Sequence, residues 1–381
     1  MSLKGCTAPD QLRTVIQSRS LAAPKVLTHR GIAVVSCCSA PSVSTPLTAS
    51  QTSINPTNVS APAKASGASL RYSHTDRRFL SLVDQFRLGG MAEDGFSYKR
   101  RFRVRSCEVG PNKTATIGAI AILLQEVSCN HVQSLGYTDG FGRSYTMMQL
   151  HLIWVITRMH IEVYKYPTWG DAIEIETWYE GGRVGNRRDW IIKDAAGTVI
   201  GRATSKWVMM NQDTRRVHKV SDEVLDEILS YCPRTPRLSF PEEDNSSLKK
   251  IPKLKEPAQY SRLELKPRTA DLDMNQHINN VTYIAWILES MPQEVIDNYE
   301  IQKITLDYRR ECLHDDMVDS LTSMEQMEGA EADLELKVTN GSATGNKHEE
   351  DCCQFLHFMR LSGGRPELNR GRTEWRRIPT R

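Results

Sequence analysis

The sequence lacks any run near the ~20 apolar residues that a membrane-spanning helix needs. Its most apolar early stretch, GIAVVSCCSA, is far shorter. Cys-x-x-Cys pairs are also missing. The nine cysteines are scattered, with three (Cys6, Cys37, Cys38) near the start and an adjacent pair at Cys352 and Cys353. This is neither a metal-ligand spacing nor a disulfide framework, and it fits a reducing compartment. No glycine loop has phosphate-cradling spacing, GGRVGNRR included. Acids are nearly absent from the first 75 residues, where Asp10 stands alone against seven Lys and Arg. The whole chain carries a formal charge of only +3, so the remainder is slightly acidic. That balance gives general nucleic-acid binding no support. An acidic partner would have to dock on a local basic patch.

The 381 residues, 39% hydrophobic and 25% charged, suit a soluble globular protein of about two domains. Residues 1–70 are rich in Ser, Thr, Ala and Pro, the composition of a plastid-type transit peptide without a fold of its own. Folding is expected to start near Asp76, where DRRFLSLVDQFRL has helical spacing.

The body is written twice. DWIIKDAAGTVIGRATSKW, starting at Asp189, aligns without a gap to HFMRLSGGRPELNRGRTEW, starting at His357. Arg202 matches Arg370 and Trp207 matches Trp375. Upstream, YKYPTWGD from Tyr164 aligns with YRRECLHD from Tyr308. Helices are expected over 116–135 and 279–291, each preceded by a short strand and followed by several strands. Each copy therefore reads as α+β, a long helix against an antiparallel sheet. The boundaries are 76–230 and 257–377. The Pro-, Ser- and charge-rich stretch 231–256 reads as a linker.

Differences between the copies point to chemistry. Between leading strand and helix, the first copy has SCEVGPNKTAT. The second has KPRTADLDMNQHIN, longer by about four residues in this reading. Asp273, Asn275 and His277 alternate, so an extended segment would aim all three one way. The same copy carries Glu311 and Cys312 where the first has Pro167 and Thr168. His277 suits a general base. The start of the helix that follows suits a developing oxyanion, with Asn279 or Asn280 as its cap. One His among irregularly spaced carboxylates is not a metal-ligand set, and neither metal nor cofactor is expected.

DLDMNQHINNVTYIAWILESMP, ITLDYRREC, LLQEVSCNHVQSLG, RMHIEVYKYPTWGD and GRATSKWVMMNQDTRR resemble the plant acyl-acyl-carrier-protein (acyl-ACP) thioesterases, from about Phe79 to Trp375. The resemblance implies a tandem hotdog fold and hydrolysis of acyl-ACP in the plastid stroma. It is closest to the FatA type, which prefers oleoyl-ACP, because the hydrophobic anchor usual in the saturated-chain FatB type is missing. It also implies a catalytic set from Asp273, Asn275, His277 and Glu311, or an older triad using Asn275, His277 and Cys312. We favour Glu311, since a carboxylate needs no depressed thiol pKa. The first copy is then expected to bind the acyl chain through Ala119, Ile122, Leu123, Trp154 and Ile156. Acidic carrier protein is expected at Arg183, Arg187, Arg188, Arg215 and Arg216. No stable membrane anchor is implied, and a homodimer of the whole chain is compatible with the fold. The alternatives are a saturated-chain acyl-ACP or acyl-CoA thioesterase and a non-catalytic acyl-binding protein.

Overall fold

The computed structural model describes residues 89–136, 142–183, 185–241, 246–273, 276–325, 352–364 and 366–378. The leader, the helix expected near Asp76 and the core of the polar insert before Cys352 lie outside them.

The first copy begins with β1 (Gly89–Met91) and β2 (Tyr98–Arg103), then helix α1 (Ile117–Ser134), with the short α2 (Tyr145–Gln149) after it. Four strands follow: β3 (Leu152–Val163), β4 (Ala172–Glu180), β5 (Asn186–Asp194) and β6 (Val199–Asn211). β7 (Val217–His218) and α3 (Asp222–Leu229) close the copy. The second copy has β8 (Tyr260–Leu265), α4 (Thr282–Leu288), α5 (Gln293–Asn298), β9 (Tyr299–Tyr308), β10 (Val318–Met324), β11 (Cys352–Leu361) and β12 (Glu367–Arg377).

All pairings are antiparallel, and the path β2-β4-β5-β6-β3-β9-β12-β11-β10-β8 is a palindrome about the β3–β9 contact. Each strand of one copy thus has a counterpart at the mirrored place in the other, and β3 and β9 are the pair that meet. The aligned tryptophans behave alike: Trp207 Nε1 donates to Ser205 Oγ and Trp375 Nε1 to Thr373 Oγ1, both at 2.7 Å.

The β3–β9 seam has two faces. Met159 and Ile161 oppose Leu306 and Ile304 on the apolar side, and all four belong to the main core cluster or pack against it. On the other side Arg158, His160 and Glu162 oppose Asp307, Thr305 and Lys303. Arg158 grips Asp307 through Nε and Nη2 at 2.6 and 3.1 Å, and His160 Nδ1 lies 2.7 Å from Thr305 Oγ1. Bidentate geometry makes this the strong form of ion pair.

The joining segment covers that polar face. Arg158 Nη1 donates to Ser247 O at 2.9 Å, and Ser246 Oγ donates to Glu162 Oε1 at 3.0 Å. The matched arginines of the repeat do the same work: Arg202 Nη1 reaches Ser239 O at 2.7 Å and Arg370 Nη1 reaches Ile251 O at 3.3 Å. Phe240, Ile251 and Leu254 are buried. A segment that composition marks as a linker is therefore strapped down, because arginines on the sheet satisfy its carbonyls.

α1 runs as expected, with Thr116 capping Ala119 N at 3.1 Å. Its counterpart is shorter than the sequence suggests. α4 stops at Leu288, where the Ser290 hydroxyl donates to Ile287 O and Ser290 and Met291 close tight turns, ahead of Pro292. Gly371 lets α4 sit close to the sheet, since a Cβ there would lie 3.2 Å from Ile287 Cδ1 and 3.0 Å from Leu306 Cδ2.

Replacing Arg158 by Met leaves Asp307 half-compensated at the seam. A loss of about 2–3 kcal/mol is expected in urea unfolding, with the Arg158→Met/Asp307→Leu double variant recovering part of it. Wild-type stability in the single variant would contradict this role.

Candidate active site

The junctions before α1 and α4 are one structure built twice. In the first copy Arg105 N donates to Glu108 Oε2 at 2.7 Å, and the Arg105 guanidinium also holds Glu108. In the second, Arg268 N donates to Asp271 Oδ2 at 2.8 Å, and the Arg268 guanidinium holds Asp271. Thr116 N then bonds Glu108 O at 2.9 Å, as Asn279 N bonds Asp271 O at 2.8 Å. Between these anchors the two loops have equal length. From strand to helix the second junction is still the longer, residues 266–281 against 104–116, so the excess read from the sequence lies outside the anchored loop, whose register the arginine–carboxylate anchors set.

A tight turn lies inside each junction. Gly110 N bonds Thr114 O at 2.9 Å, and Asp273 N bonds His277 O at 2.8 Å. Val109 bridges Ala115 and Leu272 bridges Ile278. Lys113 and Gln276 take the same left-handed conformation, at φ 63° and 64°. Asp273 and His277 thus take the places of Gly110 and Thr114 in matching backbone bonds. The segment is a turn, not the extended run assumed from alternation. The turn nonetheless brings Asp273 to His277, whose backbone N–H donates to Asp273 Oδ1 at 3.1 Å. Asn275 lies outside the described residues.

The His277 ring is half-buried, and its Nδ1 has no hydrogen-bond partner among the described residues. Burial lowers its pKa below the ordinary 6.5; Asp273 opposes the shift and the Arg215 guanidinium adds to it. The imidazole is therefore neutral near pH 7, as a base must be.

Glu311 and Cys312 follow β9 in irregular chain and part company there. Cys312 is only 1% exposed and belongs to the core. Burial, helped by Asp316, pushes its thiol up to about 12, so it carries almost no thiolate. Glu311 makes an ion pair with Arg215, the side chains being 15% and 34% exposed.

The amides leading into α4 are largely occupied. Asn279 N bonds Asp271 O, Thr282 N bonds Asn279 O, and Val281 N bonds Asn279 Oδ1 at 3.0 Å. Neither Asn279 nor Asn280 is the cap: the helix is entered through Val281, which makes no side-chain cap bond, and the occupied donors are not open to a carbonyl.

A cavity of about 1130 Å³, counting its open mouth, lies between α1 and the sheet of the first copy. Ala121, Gln125, Ser128 and Val132 line it from α1, and Trp154, Ile156 and Met159 from β3. It ends against Asn280, Val281 and Ile284 of the second copy, just beyond His277. Of the five residues expected to bind the acyl chain, Trp154 and Ile156 line this cavity. Ala119 and Leu123 are buried away from this cavity, and Ile122 is 53% exposed. The stripe of α1 that faces the cavity is the next one round, starting at Ala121.

The five arginines divide. Arg188 is buried in the cavity wall, its Nη1 3.0 Å from His131 Nδ1, and offers nothing to a docking partner. Beside it, burial and then this cation lower the His131 pKa to about 3. Arg187 is tied to buried Asp189, and Arg215 to Glu311. Arg183 is exposed but paired with Asp222, and Arg216 is exposed.

Among the described residues, no three His, Cys, Asp or Glu side chains gather as a metal site requires.

Known proteins fit this picture. Residues 95–228 match the family "Acyl-ACP thioesterase N-terminal domain", and residues 254–377 match "Acyl-ACP thioesterase C-terminal domain". The chain is 64% identical to the oleoyl-acyl carrier protein thioesterase 2 of Arabidopsis thaliana, over 79% of this chain and 82% of that one. Against the palmitoyl-acyl carrier protein thioesterase of Cuphea hookeriana the figures are 44%, 77% and 66%. The solved 12:0-ACP thioesterase of Umbellularia californica superposes with a TM-score of 0.64 at 36% identity, covering 75% of this chain and 95% of that one. With its palindromic double sheet, its paired junctions and these matches over most of its length, the chain belongs to the acyl-ACP thioesterase family.

Proposed function

We propose that the chain hydrolyses the thioester of long-chain acyl-ACP, oleoyl-ACP above others, in the plastid stroma. One observation carries the reading. The second junction has Asp273 and His277 on a turn that the first copy builds without them, and the chain just after that turn, at Asn280, Val281 and Ile284, lines a largely apolar cavity. The names of the relatives at 62–64% identity support the oleoyl preference and the plastid location.

In this reading the acyl chain lies along α1 and its thioester reaches the His277 turn. Neutral His277 takes a proton from water as the water oxygen adds to the carbonyl carbon. The tetrahedral adduct then expels the thiolate of the carrier's prosthetic arm, and His277 returns the proton to sulfur. The products are free fatty acid and the carrier thiol. Asp273 fixes the turn through the His277 amide, and Glu311 is held by Arg215. Cys312 takes no part, because a buried thiol with a pKa near 12 is no nucleophile at neutral pH. Carrier protein is strongly acidic and would meet the exposed Arg216. A second copy of the chain is not needed to complete the site.

The direct test mixes the purified protein with oleoyl-ACP, palmitoyl-ACP and oleoyl-CoA. Free acid should appear fastest from oleoyl-ACP; no release from any of the three would end the thioesterase reading, and release from oleoyl-CoA alone would remove the carrier.

Among variants, His277→Ala and Glu311→Ala should each lose at least about 100-fold in kcat. Cys312→Ala should stay within about threefold of wild type while melting somewhat lower. A dead Cys312→Ala protein of native fold would restore the thiol.

The pH profile follows from His277. Its folded pKa lies below 6.5, so the base form persists under mildly acidic conditions and is lost only as pH falls through that lowered value. The acid limb of kcat/KM should therefore sit below pH 6.5; a limb at or above that point would contradict His277 as the base.

A further inference from the structure

Arg215 has a place in the structure that a carrier-docking residue would not need. It sits in the turn joining β6 to β7, in the first copy, yet its guanidinium meets Glu311 of the second. The turn is rigidly made. Asn211 Oδ1 accepts from Thr214 N at 2.8 Å and from Thr214 Oγ1 at 2.9 Å. Arg215 N donates to Asn211 O, and Asn211 N to Arg216 O, both at 2.9 Å. Gln212 N ties the turn to His151 O at 2.8 Å. Within it Arg215 is left-handed, at φ 55°, a conformation disfavoured for a residue with a Cβ. The neighbouring Arg216 points to solvent. Of two adjacent arginines, one is turned inward onto the carboxylate and one outward.

We propose that Arg215 is a positioning residue for hydrolysis, supplied by the first copy to the site of the second, which holds the Glu311 carboxylate in place for work with His277. The inference rests on the assignment of Glu311 and His277 to catalysis. The charged groups that bear on the His277 ring are Asp273 from its own turn and Arg215 from across the copy boundary. Glu311 reaches this group through Arg215. Removing the guanidinium frees the carboxylate to rotate. It also removes a cation whose presence disfavours imidazolium, so the imidazole becomes easier to protonate.

The experiment compares Arg215→Met, Arg215→Lys and Glu311→Gln with wild type on oleoyl-ACP, each over a range of pH. Arg215→Met should lose about 10- to 100-fold in kcat, within the reach of a lost general-base arrangement, with KM changed less than about threefold. Its acid limb should move to higher pH, since the cation that lowered the His277 pKa is gone. Arg215→Lys should keep the wild-type limb and recover part of kcat, because the charge remains and only the fork geometry is lost.

Three results would overturn the proposal: wild-type kcat in Arg215→Met, a loss of kcat with an unmoved acid limb, or a rise in KM alone. The last would return Arg215 to carrier docking. If Glu311→Gln is itself fully active, the assignment of Glu311 fails. If Glu311→Gln is dead while Arg215→Met is normal, only the present inference fails.

Discussion

The antiparallel contact between β3 and β9 is the constraint on which the rest depends. It makes one sheet from two copies and fixes how each helix layer faces the other. On its inner face Met159 and Ile161 pack with Leu306 and Ile304 into a core that neither copy completes alone. On its outer face Arg158, His160 and Glu162 meet Asp307, Thr305 and Lys303. Such a polar row would be costly under a cover that offered it no partners. The joining segment is a suitable cover because it brings carbonyls and hydroxyls, Ser247 O and Ser246 Oγ among them. Polar groups at the seam therefore hold the connection in place while apolar groups hold the sheet together.

Within that frame the site is an edit of an existing structural device. Both copies hold their junction with an arginine–carboxylate clasp and both close it with the same left-handed turn. Gly110 and Thr114 are enough for the fold; Asp273 and His277 ask nothing more of the backbone. On the proposed function, the base stands on a turn whose bonds both copies share, which is the condition for keeping it within reach of its target. The separation of Glu311 from Cys312 works the same way. The chain after β9 sends one side chain toward the other copy's arginine and the next to the core, where burial, helped by Asp316, keeps the thiol protonated.

What could be read in the sequence follows from which forces leave a periodic mark. The duplication was visible in Trp207 with Trp375 and Arg202 with Arg370, because each pair serves the same packing or strapping need. The helix over 116–135 was visible because Thr116 caps a long apolar pattern. The length of α4 was not, since it is cut by the Ser290 hydroxyl, a local competition with the backbone that apolar spacing does not record. The shared clasp was not legible because Glu108 and Asp271 differ by a methylene, so the extra length of the second junction could not be placed outside the anchored loop. The stripe of α1 lining the cavity was also hidden: Ala119 and Leu123 are as buried as Ala121, so hydrophobicity cannot tell core from tunnel. Arg215 looked like one more surface cation, and only the pairing of the copies carries it to Glu311.

The cavity and the His277 turn lie on different copies of one ancestral unit, and this has a consequence for how the protein can change. In a symmetric pair of identical subunits every substitution is made twice, once in the binding half and once in the reacting half. Fusion removes that coupling. A side chain on α1 can be exchanged to suit a shorter or straighter chain without altering the turn before α4, and so selection can retune what is held while the cutting apparatus stays as it is.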